Sequence, residues 1–267
     1  MTRCYLKLPF GFLVAFAVTI IAITCQSNTS TEGSEDMIVT TIQRAIESAG
    51  LSVLDKAEAS FVFRKRTYSY QRDNGKFEYT RSFADTSGNQ IVDHLSNEGH
   101  IRYMNGEKIN VEEKKAKAYS RSVNSVIYFA FLPYNLKDPA VNAEYLGKVT
   151  VRGKNYHKVK VTFGQEAGGK DWEDTFYYWF DADNHKMDYL AYEYTEDDGE
   201  VDLRFREAYN PREVAGVRIQ DYYNFKPKKG ETVSIHEVAQ AYEQDRLELL
   251  SKIELTDVQI RSLDITG

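Results

Sequence analysis

The chain has 267 residues, with 34 basic and 40 acidic side chains and a formal net charge of −6. That acidic balance argues against nucleic acid and anionic lipid surfaces as partners. Cys4 and Cys25 are the only cysteines, and an apolar content carried by 19 Tyr and 14 Phe favours strands.

Arg3 and Lys7 precede an apolar run from Leu8 to Thr24, and the polar stretch QSNTSTEGSED follows Cys25. A basic start, a short apolar core and a small-residue exit mark a secretory signal. The run is about 17 residues, at the lower limit for spanning a bilayer. It holds Pro9 and Gly11, and no basic stop-transfer cluster follows it. AITC at the exit resembles a lipobox, so cleavage before Cys25 and lipidation on Cys25 are expected. An ordinary signal peptide and an uncleaved anchor are the alternatives. Removing residues 1–24 leaves about 243 residues, enough for one sizeable core. The mature chain then keeps Cys25 as its sole thiol, which excludes an internal disulfide and a cysteine metal site. Residues 26–36 read as a flexible tether, and 37–267 as a single β-rich domain.

From Met37 to Leu51 the apolar residues Ile38, Val39, Ile42, Ala45 and Ile46 fall at helical spacing. From Ser60 the period changes to that of strands. FVFRKRTYSY and FEYTRSF flank Asn74-Gly75, a pair suited to a tight hairpin turn. Strands are expected at Asn89–Leu95 and His100–Met104, followed by a charged stretch, Glu112–Lys117. Residues 120–132, SRSVNSVIYFAFL, are the most apolar stretch after the signal. Val123, Ile127 and Ala130 fall on one helical face, and Pro133 ends the run.

Strands then follow in series: Val141–Val151, Tyr156–Phe163, Phe176–Phe180, Met187–Tyr194, Val201–Tyr209, Val217–Phe225 and Thr232–Val238. A short helix within Glu237–Leu250 and a last strand at Ile253–Ile265 complete the chain. About eleven strands with two or three segregated helices predict an α+β fold with an antiparallel sheet.

No metal spacing, P-loop, nucleophile elbow or dinucleotide fingerprint is present. Asp93, His94 and His100 read as a solvated strand end. Asp181, Asp183, His185 and Asp188 fail the EF-hand spacing and read as hairpin turn chemistry. No cofactor is expected. The 122–132 helix is either a core helix or a lid over a hydrophobic cavity. As a lid it presents Val126, Ile127, Phe129, Phe131 and Leu132, facing a wall of Phe61, Phe63, Tyr79, Tyr178 and Phe180.

Two stretches, SVNSVIYFAFLPYNLKDPAV (122–141) and YWFDADNHKMDYLAYEYTEDDGEVDLRFREA (178–208), resemble an uncharacterised, domain-of-unknown-function lipoprotein family of Bacteroidota. Its members are similar to the LolA and LolB lipoprotein-carrier superfamily. The resemblance implies a strongly curved antiparallel sheet, an unclosed half β-barrel, with one helix as lid or plug and an acyl chain as ligand. A His-Gly pair expected after the first helix is replaced here by SAGLSVLD. The function expected is non-enzymatic binding of a lipid or other apolar molecule by a lipoprotein anchored in the outer membrane. The alternatives are an interaction lipoprotein with a filled core and a hydrolase using Asp171, Asp174 and Asp188.

Cys25→Ala is expected to move the protein from the membrane to the soluble fraction. Continued partitioning with membranes would contradict lipidation at Cys25.

Overall fold

A computed structural model of the chain describes residues 29–164, 174–195 and 199–264, with side chains from Glu35 onward. Cys25, the signal segment and Asp171 lie outside the described residues.

Helix α1 (Thr29–Ser48) begins within the segment read as a tether. Ile42, Ala45, Ile46 and Ala49 form its buried stripe. Gly50, with φ +66°, ends it, and a 3-10 turn (Leu51–Asp55) leads into the first sheet. Six strands follow as a meander: β1 (Lys56–Phe63), β2 (Arg66–Asp73), β3 (Lys76–Ala84), β4 (Gln90–Ser96), β5 (Gly99–Met104) and β6 (Glu107–Ile109). Helix α2 (Glu113–Ala130) and a 3-10 turn (Tyr134–Lys137) come next. A second meander follows: β7 (Val141–Val151), β8 (Lys154–Phe163), β9 (Thr175–Asp181), β10 (Met187–Thr195), β11 (Val201–Val214) and β12 (Val217–Pro227). Helix α3 (Val238–Glu243), β13 (Leu247–Ile253) and β14 (Thr256–Ser262) close the chain.

The strand orders are β14-β1-β2-β3-β4-β5-β6 and β13-β12-β11-β10-β9-β8-β7. Consecutive strands β13 and β14 thus sit on the edges of different sheets and join them at residues 254–255. The result is a curved, antiparallel and unclosed wall, with its opening between β6 and β7.

FVFRKRTYSY is not one strand. Arg64 and Lys65 both take positive φ, at 50° and 63°, and turn β1 back onto β2 in full register from Phe63↔Arg66 to Lys56↔Asp73. No glycine or asparagine marks that turn, so the sequence hides it. It accounts for part of the difference between about eleven expected strands and fourteen. The segment 232–238 is not a strand either. Ile235, Val238, Ala241 and Tyr242 recur at near-helical spacing and pack on the outer face of the second sheet.

Strand β9 is buried on both faces. Phe176, Tyr178 and Phe180 face the concave core, while Tyr177 and Trp179 join the outer cluster under α3. The concave core also takes Phe61, Tyr68, Tyr70, Phe131, Leu190 and the stripe of α1.

Gly50 is a required glycine. A Cβ there would collide with the backbone oxygen of Gly216, and the adjacent Arg218 N–H donates to the carbonyl of Ala49 at 2.8 Å. Gly50→Ala is expected to cost about 3 kcal/mol or more through positive φ and this clash. The loss would read as a lower urea midpoint, and an unchanged midpoint would contradict the close approach.

Candidate functional site

Helix α2 starts at Glu113 rather than near residue 120. Glu, Lys and Ala are strong helix formers, and Glu113 and Lys117 form an i,i+4 pair at 2.6 Å. Its face toward β2–β5 changes character along its length. Tyr119 and Ser122 present polar atoms to the first sheet, and Val123 and Ile127 are fully buried below them.

The polar end rests on a buried charge cluster. The register brings Arg81, Asp93 and Arg102 side by side on β3, β4 and β5. Asp93 has no exposed surface. It accepts from Arg81 Nη2 at 2.5 Å and from Arg102 Nε at 2.7 Å, and it pairs with His100 Nε2 at 2.9 Å. Arg81 Nη1 donates to Ser122 Oγ at 2.6 Å, and the Arg102 guanidinium lies 3.5 Å from the Tyr119 ring centroid. These last two contacts tie α2 to the sheet. The solvated strand end expected at Asp93 and His100 is therefore a sealed ion cluster. The cross-strand order Arg, Asp, Arg was the signal, and it needed the register to be seen. Burial pushes the Asp93 carboxyl up, but the bonds from Arg102, Arg81 and His100 outweigh it and hold the group below the usual carboxylate range.

Two cavities flank the apolar end of α2. The first, about 600 Å³, lies between α2 and the concave face of β10–β13, with Phe63 and Arg64 at one side. Val126, Phe129 and Ala130 form its helical wall, and Leu250, Ile253 and Leu255 its apolar floor. The second, about 440 Å³, lies toward β7–β9 and is bounded by Phe77, Tyr79, Ile127, Phe163 and Phe176. Phe129 and Tyr192 border both, their ring centroids 5.6 Å apart, so this pair divides the two spaces. Sequence reasoning did not single out Tyr192.

The expected lid and wall residues separate into two groups. Val126, Ile127, Phe129, Phe63 and Tyr79 border a cavity. Phe61, Phe131, Leu132, Tyr178 and Phe180 border neither and fill the core. Phe131 and Leu132 lie beyond the end of α2, where the chain turns toward the 134–137 segment. Phe131 packs edge-on against Phe61, with centroids 5.9 Å apart.

Polar groups at the cavities are unequally distributed. Among the described residues, the first is bordered by Arg64, Arg204 and Arg206 and by no acidic residue. Arg204 donates to Asp202 at 2.9 Å. Arg206 is 8% exposed, donates to the Tyr192 hydroxyl at 2.6 Å, and leaves its Nε without a hydrogen-bond partner. Its guanidinium stands 4.5 Å from the Phe129 centroid and 5.0 Å from that of Tyr192. Each such contact offsets about 0.5–2 kcal/mol of desolvation. The second cavity mixes Arg72 with Asp138 and Asp174, and burial pushes the Asp138 carboxyl up.

Asp188 accepts from Lys154 Nζ at 2.8 Å and from the Tyr156 hydroxyl at 3.1 Å. Asp174 borders the second cavity. In the turn between β9 and β10, Asp181 Oδ1 accepts from the backbone N–H groups of Asp183 and Asn184 at 2.7 and 2.9 Å, which is turn chemistry. Among the described residues, no group of three or more His, Cys, Asp or Glu is placed to hold a metal ion.

A family profile matches residues 28–255. The chain belongs to a family of unknown function, DUF6503. No curated protein matches it in sequence. Among solved structures, this DUF6503 chain is similar to a LolA superfamily protein of Nitrosomonas europaea, with 10% identity, 83% of this chain and 94% of that one covered, and a TM-score of 0.46. It is also similar to a putative outer membrane lipoprotein-sorting protein domain of Vibrio parahaemolyticus, with 9% identity, coverage of 84% and 95%, and a TM-score of 0.41. Lipoprotein LppX of Mycobacterium tuberculosis matches at 10% identity, coverage of 60% and 88%, and a TM-score of 0.28. With TM-scores below 0.5, these similarities carry no argument about function.

Asp93→Asn removes the counter-charge of two buried guanidinium groups and is expected to cost about 3–5 kcal/mol, read from urea unfolding. Because the folded pKa of Asp93 is lowered, its contribution is present above about pH 4, its unfolded pKa, and fades as pH falls through the folded value. Wild-type stability should therefore drop on acidification below about pH 4, and the Asp93→Asn variant should lose less over that interval. Equal acid sensitivity of the two proteins would contradict the cluster.

Proposed function

We propose that this protein is a non-enzymatic lipoprotein of the cell envelope that holds a lipid or other apolar molecule beside α2, tethered to the outer membrane through Cys25. The observation that carries the reading is the pair of cavities bordered by aromatic and aliphatic side chains on the concave face. Volumes of about 600 and 440 Å³ fall within the range of small-molecule sites. Burial of an acyl chain would contribute about 0.8 kcal/mol per methylene.

The concave face is not empty throughout. Its centre is filled by Phe61, Tyr70, Phe131 and Tyr178, and the two cavities lie on the flanks of α2. This favours a ligand of modest girth lying along the helix. Val126, Ile127 and Phe129 act as lid, and Phe63 and Tyr79 as wall. Phe61, Phe131, Leu132, Tyr178 and Phe180 serve as the packed base that fixes the helix.

Native mass spectrometry of the protein purified from a lipid-containing host tests this reading. Bound lipid is expected in wild type and is expected to be lost in Phe129→Asp, which puts a charge on the partition between the cavities. A clean apo mass for wild type, with no uptake of added fatty acid or phospholipid, would overturn it and leave an interaction lipoprotein as the better account.

A further inference from the structure

We infer that the first cavity takes an amphiphile with an anionic head group, a carboxylate or a phosphate, seated against Arg206. This rests on the apolar-ligand reading above and specifies the ligand's chemistry.

Three observations carry it. The chain is acidic overall, at −6, yet among the described residues the first cavity is bordered by three arginines and no acid. Arg204 already has Asp202 as counter-ion, whereas among the described residues no ion pair involves Arg206. Arg206 is also nine-tenths buried, with one N–H unpartnered. A buried guanidinium whose polar contact is a phenol hydroxyl keeps its full charge directed at the space beside it. An anion entering that space supplies the missing counter-charge.

The placement also separates head from tail. Arg204 and Arg206 alternate with Leu203 and Phe205 along β11, so both arginines face the concave side, opposite the outer cluster. Asn224 pairs with Arg206 across β11 and β12, and Ser251 with Asn224 across β12 and β13. Asn224 Nδ2 donates to Ser251 Oγ at 3.2 Å and its Oδ1 has no partner. This polar band crosses the cavity wall at one level. Val126, Phe129, Leu250 and Ile253 supply the apolar remainder. An ionic head at the band with its chain along α2 satisfies both. A neutral lipid would leave Arg206 desolvated and uncompensated, which selects against it. The second cavity, with two carboxylates beside Arg72, offers no such preference.

Titration calorimetry at pH 8 on the purified protein, freed of co-purified lipid, compares dodecanoate, dodecyl phosphate and dodecanol, with inorganic phosphate as the tail-free control. Both anionic ligands are expected to bind about tenfold or more tightly than dodecanol, the scale of a charge-assisted hydrogen bond. Arg206→Met should erase that advantage and, with no guanidinium left to desolvate, should bind dodecanol more tightly than wild type does, whereas Arg206→Lys should retain part of the preference for anions. Equal affinity for dodecanoate and dodecanol in wild type would overturn the inference and leave apolar binding intact. Binding of none of these ligands would overturn both. Inorganic phosphate binding as tightly as dodecyl phosphate would reassign the site to a free anion and also overturn the inference. If Arg206→Met fails to fold, the wild-type comparison alone decides.

Discussion

The chain passes from one sheet to the other at residues 254–255, between β13 and β14, and among the described residues the opposite edges, β6 and β7, are not paired with each other. A closed barrel covers its own interior, but an open one must cover its apolar concave face with something else. The segment joining β6 to β7 is where that cover is placed, and it is helix α2. A helix is about 10–12 Å across with its side chains, whereas adjacent strands stand about 4.8 Å apart, so seven strands in each sheet present a face far wider than one helix. α1 covers part of it, near β7, and the 3-10 turn that follows α1 lies against β12. What remains uncovered on either side of α2 is the pair of cavities.

The helix is held in two different ways along its length. At Tyr119 and Ser122 it is fixed by directional contacts to Arg102 and Arg81, both anchored on the buried Asp93. At Val123 and Ile127 it is held by apolar burial. Half a turn beyond, Phe129 touches Arg206, Tyr192 and Phe176 across open space. The sealed ion cluster makes the middle of the helix a fixed pivot, while its C-terminal end borders the cavities. Breaking a buried ion cluster costs more than shifting an aromatic side chain beside a void. A ligand that displaces Phe129 would therefore rearrange the C-terminal end of α2 before the part around Tyr119 and Ser122.

Much of this architecture was legible in the sequence. Strand-period runs with Asn74-Gly75 between them located the β2–β3 hairpin, and the stripe Val123–Ile127 located the helix. The tyrosine and phenylalanine content pointed to a β-rich domain. Three things were hidden, each for a physical reason. The Arg64-Lys65 turn uses residues with no turn preference, held in positive φ by the pairing of β1 with β2. The cluster around Asp93 depends on strand register, which a single sequence does not display. The division of the aromatic residues into core and cavity depends on where α2 ends. Ala130 closes the helix, so Phe131 and Leu132 turn inward while Phe129 stays on the partition. Arg206 stands within the stretch that carries the family resemblance, but a single sequence does not show that the cavity it borders has no acid among the described residues.

On the proposed function, ligand occupies the flanks of α2 and no other apolar surface. Methyl NMR with a spin-labelled fatty acid tests it directly. The account predicts selective broadening of Val126, Leu250 and Ile253, which border the first cavity. Broadening confined to Val39 and Val201, the most exposed of the large apolar side chains, would contradict it.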